Sequence, residues 1–139
     1  DVQIARFYNV YGPHESVDEK YGNVIGIWRS LASKGKPLKI VGDGEQRRDF
    51  THVIDIVDGL YKVGTGSEKH EDAWELGCGV NYSINEMFEM FQTKFTEIES
   101  TYLPDQLGNY RKTLRENNDT LARLNWKPED RLNDYIQSL

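Results

Sequence analysis

A mixed α/β fold is predicted for this chain by three observations. Short strand-like runs alternate with stretches whose apolar residues recur at helical spacing. Glycine or proline stands at several of the junctions between them. The 139 residues, 37% of them hydrophobic, supply the apolar surface for one ordinary core, and no repeat or linker divides them.

The run from Gln3 to Asn9 alternates loosely between apolar and polar residues and reads as a strand. Gly12-Pro13 breaks it, and the polar stretch to Gly22 reads as a loop. Asn23 is placed to cap a helix running to Lys34, with Val24, Ile27, Trp28 and Leu31 on one stripe and Gly35 at its C-terminal cap. Leu38 to Val41 is a short strand, Gly42-Asp43-Gly44 a turn, and Arg48 to Val53 another extended piece. Asp55 to Val63 reads as a helix that turns Ile56, Leu60 and Val63 inward and ends at Gly64. Ala73 to Leu76 is a strand leading into Gly77-Cys78-Gly79. Ser83 and Glu86 have the spacing of a capping box, ahead of a helix with Ile84, Met87, Phe88 and Phe91 on one side. Ile98 to Leu103 is read as a strand and Pro104 to Gly108 as a loop. Asn118 caps a short helix ending near Leu124, and Pro128 opens a last helix with Leu132, Tyr135 and Ile136 inward.

Lys and Arg number 17 against 23 Asp and Glu, a net charge of −6. That balance argues against nucleic acid or an anionic membrane as the main partner, since both need a cationic face. No apolar run approaches the roughly 20 residues of a membrane span. Cys78 is the one cysteine, so no intramolecular disulfide forms and a reducing, cytoplasmic setting is expected. His14, His52 and His70 stand apart without ligand spacing, so no metal site is expected. Between two glycines, Cys78 reads as a small packing residue.

Two segments carry more chemistry. Gly42 to Phe50 (GDGEQRRDF) sets two guanidinium groups beside a turn, and a planar guanidinium matches phosphate oxygens with a fork of donors. The competing reading is surface pairing of Arg47 and Arg48 with Asp43, Glu45 or Asp49, and the residues alone leave both open. Arg6 to Pro13 (RFYNVYGP) ends a strand in Asn and then Gly-Pro. This puts an amide at the carboxyl edge of a sheet, where open α/β sheets bind ligands.

Taken together, RFYNVYGP, GNVI (Gly22 to Ile25), PLKIVGDGEQRRDFTHVIDIVDG (Pro37 to Gly59), ELGCG (Glu75 to Gly79) and LNWKP (Leu124 to Pro128) resemble, in order and spacing, one family. It is the extended short-chain dehydrogenase/reductase family, the NAD-dependent nucleotide-sugar epimerases and dehydratases. The resemblance implies the C-terminal substrate-binding portion of such an enzyme, late Rossmann strands plus a small mixed α/β lobe, as a single unit over residues 1–139. It implies that Asn9 hydrogen-bonds the sugar–diphosphate, that Asn23 and Val24 line the nucleotide pocket, and that Ile40 lies near the base. It further implies that Arg48 grips the diphosphate with Phe50 beside the nucleotide, while Tyr8 and Pro13 pass the nicotinamide end of NAD.

The sequence also departs from that pattern. Gln106-Leu107-Gly108-Asn109 stands where the family usually has Arg, one residue, Gly and Asp, so a neutral amide replaces a phosphate-clamping arginine. Gln106 and Asn109 are kept as substrate-side residues, with Arg111 or Lys112 as possible replacements for the lost charge. No GxxGxxG occurs, and no tyrosine has lysine four residues on. The expectation is that the NAD-binding half and the Tyr-x-x-x-Lys proton relay lie elsewhere, that Asp1 is a start inside a fold, and that the chain alone is inactive. A free-standing nucleotide-sugar-binding module without chemistry is the alternative, and a non-binding remnant a third. Exposed apolar edges would drive homo-oligomer formation or domain-swapped association.

Overall fold

The computed structural model describes residues 2–139. Asp1, where the sequence reading placed a start inside a fold, lies outside them. Among the described residues the chain runs β1 (Ala5–Phe7), β2 (Asn9–Tyr11), α1 (Val24–Ala32), β3 (Leu38–Val41), β4 (Arg47–His52), α2 (Val53–Thr65), β5 (Trp74–Leu76), β6 (Asn81–Ser83), α3 (Ile84–Lys94), β7 (Ser100–Leu103), α4 (Asp119–Arg123) and α5 (Leu132–Ser138). The α/β class expected from sequence is the class observed.

The first expected strand divides at Tyr8. β1 pairs in parallel with β5, whereas β2 pairs in parallel with β4, so one extended run serves two sheets. β4 takes the short β6 antiparallel on its other side, and β3 pairs in parallel with β7. The β6 strand has no periodicity of its own in the sequence. It forms because β4 offers Arg47 to Asp49 as an edge.

Capping chemistry explains most helix ends. After α1, Gly35 adopts φ 61°, its N–H reaches Ala32 O at 3.0 Å, and Lys36 N–H reaches Leu31 O at 3.0 Å, the two bonds of a Schellman motif. Ser83 and Glu86 close the capping box of α3, with Ser83 Oγ accepting from Glu86 N at 3.0 Å and Glu86 Oε2 from Ser83 N at 2.7 Å. The start of α2 is moved to Val53 because His52 Nδ1 accepts from Ile54 N at 3.2 Å. Burial holds the His52 pKa below its ordinary value, which keeps that acceptor neutral.

Several expectations are corrected. α2 continues through Gly64 to Thr65, and Leu60 is 40% exposed; Asp55 and Gly59 share the buried face with Ile56 and Val63. Gly59 is required there, since a Cβ would sit 2.8 Å from Leu76 Cδ2. Neither Asn23 nor Asn118 caps with its side chain. Asn23 Nδ2 instead donates to Val10 O at 2.9 Å, tying α1 to β2. The last helix begins at Leu132 rather than Pro128, because Asp55 Oδ2 holds Glu129 N at 3.3 Å and Arg131 Nε at 3.4 Å in a non-helical turn.

Two apolar clusters form the core. The larger gathers Trp28, Leu38, Ile40, Phe50, Met87 and Phe91 among others between α1, α3, α5 and the strands. The smaller packs Trp74, Leu76 and Trp126 against Ile56 and Val63 of α2. Each tryptophan N–H finds an acceptor: Trp28 at Lys39 O (3.0 Å), Trp74 at Gln3 Oε1 (3.0 Å) and Trp126 at Asp55 O (2.9 Å). Burying an indole without such a partner would cost much of what its area contributes. No described helix is long and apolar enough to cross a membrane.

Candidate functional site

A cavity of about 350 Å³ opens where the N-terminus of α1, the strand β3, the start of β4 and the 105–109 loop meet. Six of the eight residues expected on the substrate side line it: Asn9, Asn23, Val24, Arg48, Gln106 and Asn109. The other two are placed differently. Ile40 is wholly buried and Phe50 is 4% exposed, and both belong to the larger core cluster. Side chains alternate along a strand, so on β3 it is Lys39 and Val41 that face the cavity while Leu38 and Ile40 face the core. The signal was present in the sequence as that two-residue period.

Among the described residues, the charged side chains lining this cavity are two cations, Arg48 and Lys39. Lys39 pairs with Glu19 at the rim. Arg48 donates Nη2 to Asn109 Oδ1 at 2.6 Å and Nη1 to Arg47 O at 2.9 Å, and no carboxylate lies within ion-pair distance of it among the described residues. Desolvation by burial pushes its pKa down from the ordinary arginine value, as expected of a charge half withdrawn from water without a counter-ion. Its neighbour does form an ion pair, though with none of the carboxylates of the competing reading: Arg47 pairs with Glu86 at 2.8 Å and donates to Asn81. A guanidinium that faces a cavity with neutral partners is a site open to an anion.

The 105–109 loop forms one wall. Gly108 takes φ 85°, Asn109 N–H bonds Gln106 O at 3.1 Å, and the Asn109 amide spans Asp105 and Arg48. Neither Arg111 nor Lys112, expected as replacements for the charge absent at Gln106, lines this cavity. Arg111 is drawn to Asp43 at 2.8 Å, and Lys112 to Glu116 at 3.3 Å.

A second cavity of about 440 Å³ adjoins the first, lined by Phe7, Tyr8, Asn9, Val10, Asn23 and Thr113. Asn9 and Asn23 line both. Tyr8, expected on the cofactor side, therefore lies here, where burial raises its phenol pKa. Pro13 is exposed and lines neither cavity.

Behind this wall is a buried network that sequence reading missed. Asp49 is fully buried, and its Oδ1 accepts from Cys78 N at 2.9 Å and Thr51 Oγ1 at 3.1 Å. Its Oδ2 accepts from Gly79 N at 2.9 Å and Arg115 N at 3.0 Å. The buried Arg115 guanidinium in turn donates to Gly77 O at 2.6 Å, Asn117 O at 2.9 Å and Cys78 O at 3.3 Å, and to Asn118 Oδ1. Gly77 has no room for a side chain: a Cβ would meet Tyr8, Arg115 and Asp49 atoms at 2.7, 2.8 and 2.9 Å. Cys78 is buried within this network, and burial with the nearby Asp49 charge pushes its thiol up to about 11. At neutral pH it is a protonated packing residue, not a nucleophile. No group of three or more His, Cys, Asp or Glu is placed to hold a metal among the described residues.

Comparison with known proteins places this geometry. The family model of the NAD dependent epimerase/dehydratase family matches residues 1–77. The chain is 34% identical over 92 residues to UDP-glucuronic acid decarboxylase 4 of Arabidopsis thaliana, which covers 66% of this chain and 20% of that protein. It is 30% identical over 129 residues to UDP-glucose 4-epimerase of Mycolicibacterium smegmatis, covering 92% of this chain and 41% of that protein. Among solved structures, the UDP-N-acetylglucosamine 4-epimerase of Methanobrevibacter ruminantium in complex with UDP-N-acetylmuramic acid superposes with a TM-score of 0.87. That match has 26% identity and covers 96% of this chain and 43% of the other. The chain thus spans less than half the length of each of these relatives. With the family model matching 77 of 139 residues and the fold shared almost end to end, the chain belongs to the NAD dependent epimerase/dehydratase family.

Proposed function

We propose that this chain is the nucleotide-sugar-binding portion of an NAD-dependent sugar-nucleotide epimerase or dehydratase. The observation that carries the reading is the cavity around Arg48: among the described residues its charged lining is cationic, in a chain of net charge −6, and no carboxylate pairs with the guanidinium. A diphosphate is the anion whose oxygens match that fork. Asn9 then meets the sugar–diphosphate junction, Asn23 and Val24 hold the nucleoside, and Gln106 and Asn109 close the loop over it. Val24 and Val41 supply the apolar surface a base would lie against. The uridine nucleotides in the names of the relatives favour UDP-sugars within this class.

The described residues do not make a dinucleotide site by themselves. The cavity beside Tyr8 has no cation and no glycine-rich turn at a helix N-terminus to cradle a pyrophosphate. The chain carries no Tyr-x-x-x-Lys pair. No hydride or proton step is therefore assigned to this chain, whose residues bind and orient. We place the packing surface for a dinucleotide-binding part on β1 and α2. Among the described residues β1 pairs with β5 alone, and α2 presents Ile54, Val57 and Tyr61 outward, with Ile54 63% and Val57 60% exposed. In isolation this face drives association: sedimentation velocity is expected to show a concentration-dependent increase that Ile54→Asp with Val57→Asp abolishes. A clean monomer of the unaltered chain at high concentration refutes that assignment.

The test of the binding reading is calorimetric titration with UDP-glucose, UDP and uridine. UDP-glucose and UDP are expected to bind, and uridine to bind at least about tenfold more weakly because it lacks the diphosphate. Absence of heat with both UDP ligands overturns the reading.

A further inference from the structure

Asn9 stands where the two cavities meet, and its carboxamide has one chemically consistent orientation. The atom 3.4 Å from Asp49 O faces a carbonyl that can only accept, so it is the donor Nδ2. The same nitrogen lies 3.3 Å from Thr113 Oγ1. Asn9 Oδ1 has no protein donor among the described residues, which leaves it as the atom available to a ligand. Thr113 is itself held from two sides: its N–H reaches Arg47 O at 3.0 Å, and its Oγ1 also accepts from Asp49 N at 3.3 Å. The two N–H groups fix the hydroxyl oxygen beside Asn9, at the wall of the second cavity, which Thr113 lines. The two cavities differ in charge. The first holds Arg48 and Lys39, and the second holds no charged side chain. An anionic group belongs in the first and a neutral, hydroxyl-rich group in the second.

We propose that Thr113 is a positioning residue that turns the Asn9 carboxamide oxygen toward the ligand, making the second cavity the subsite for the hydroxylated sugar. This rests on the nucleotide-sugar reading above, and it adds a residue that no sequence motif singled out. Thr113 lines the second cavity and not the first, so its loss falls more heavily on the sugar than on the diphosphate and base.

Titration of UDP and UDP-glucose into Thr113→Val, Thr113→Ser and Asn9→Ala tests it. Thr113→Val removes both acceptor and donor at nearly constant volume, and is expected to weaken UDP-glucose by about five- to tenfold while UDP changes by less than about twofold. Thr113→Ser restores the preference, and the Asn9→Ala, Thr113→Val double variant binds UDP-glucose no more weakly than Asn9→Ala alone. Thr113→Ala takes the place of the valine variant should circular dichroism show the latter unfolded. Equal losses for the two ligands, or an unchanged ratio between them, overturn the proposal and leave the nucleotide-sugar reading standing. If the unaltered chain binds neither ligand, that reading fails and the role of Thr113 fails with it.

Discussion

Replacing Asp49 with alanine is expected to lower the unfolding free energy by about 3–5 kcal/mol. The carboxylate accepts four hydrogen bonds in full burial, three from the backbone N–H groups of Cys78, Gly79 and Arg115 and one from Thr51. Alanine leaves the N–H groups of Gly79 and Arg115 without that acceptor, while Cys78 N keeps only Thr51 Oγ1 at 2.9 Å. Three pieces of chain distant in sequence converge on this one side chain: β4, the Gly77-Cys78-Gly79 loop and the stretch before α4. A loss of that size is a large share of an ordinary domain's stability. Asp49→Asn also destabilises, because its NH2 group faces N–H donors. Urea unfolding followed by circular dichroism measures both, and a cost below about 1 kcal/mol for alanine would show that the network is dispensable.

Arg48→Ala, one residue away, is expected to have the opposite profile. UDP-glucose affinity falls by about 10- to 100-fold, the equivalent of one charge-assisted hydrogen bond of about 1.5–3 kcal/mol. The fold is little affected, since the guanidinium holds only Asn109 Oδ1 and Arg47 O within the protein. Arg48→Lys keeps the charge and loses the planar fork, so it binds with intermediate affinity. The contribution of Arg48 also weakens as salt is raised, because the site is open to solvent on one side. Titration paired with thermal unfolding separates the two neighbours, and unchanged affinity in Arg48→Ala would remove Arg48 from the diphosphate site.

That two adjacent residues of one motif divide in this way was not legible in the sequence. Within Arg47-Arg48-Asp49, all three side chains are charged and nothing local ranks them. The strand pleat sends Arg48 to the cavity and Asp49 to the interior, and partners 29 and 66 residues away decide that Asp49 is structural. The same long-range pairing draws Arg111 to Asp43, 68 residues away and outside the cavity lining.

What the sequence by itself determined is what short-range physics controls. Apolar period, the capping box of Ser83 and Glu86, the glycine after α1 and the turn at Gly42 to Gly44 are each read within about seven residues, and they specify the α/β order. The ordered motifs that resemble the family extend this, and four of the residues they single out, Asn9, Asn23, Val24 and Arg48, line one cavity together with Gln106 and Asn109 of the departing stretch. The tertiary structure alone decided which strand each half of the first extended run joins, that Arg111 pairs with Asp43, and that Asn23 bonds Val10 instead of capping its helix. It alone brought Thr113 to Asn9 across 104 residues. The reason is common to all four. A side chain's face and partner are set by which strands lie beside it, and that is fixed only when the sheet closes over residues far apart in the chain.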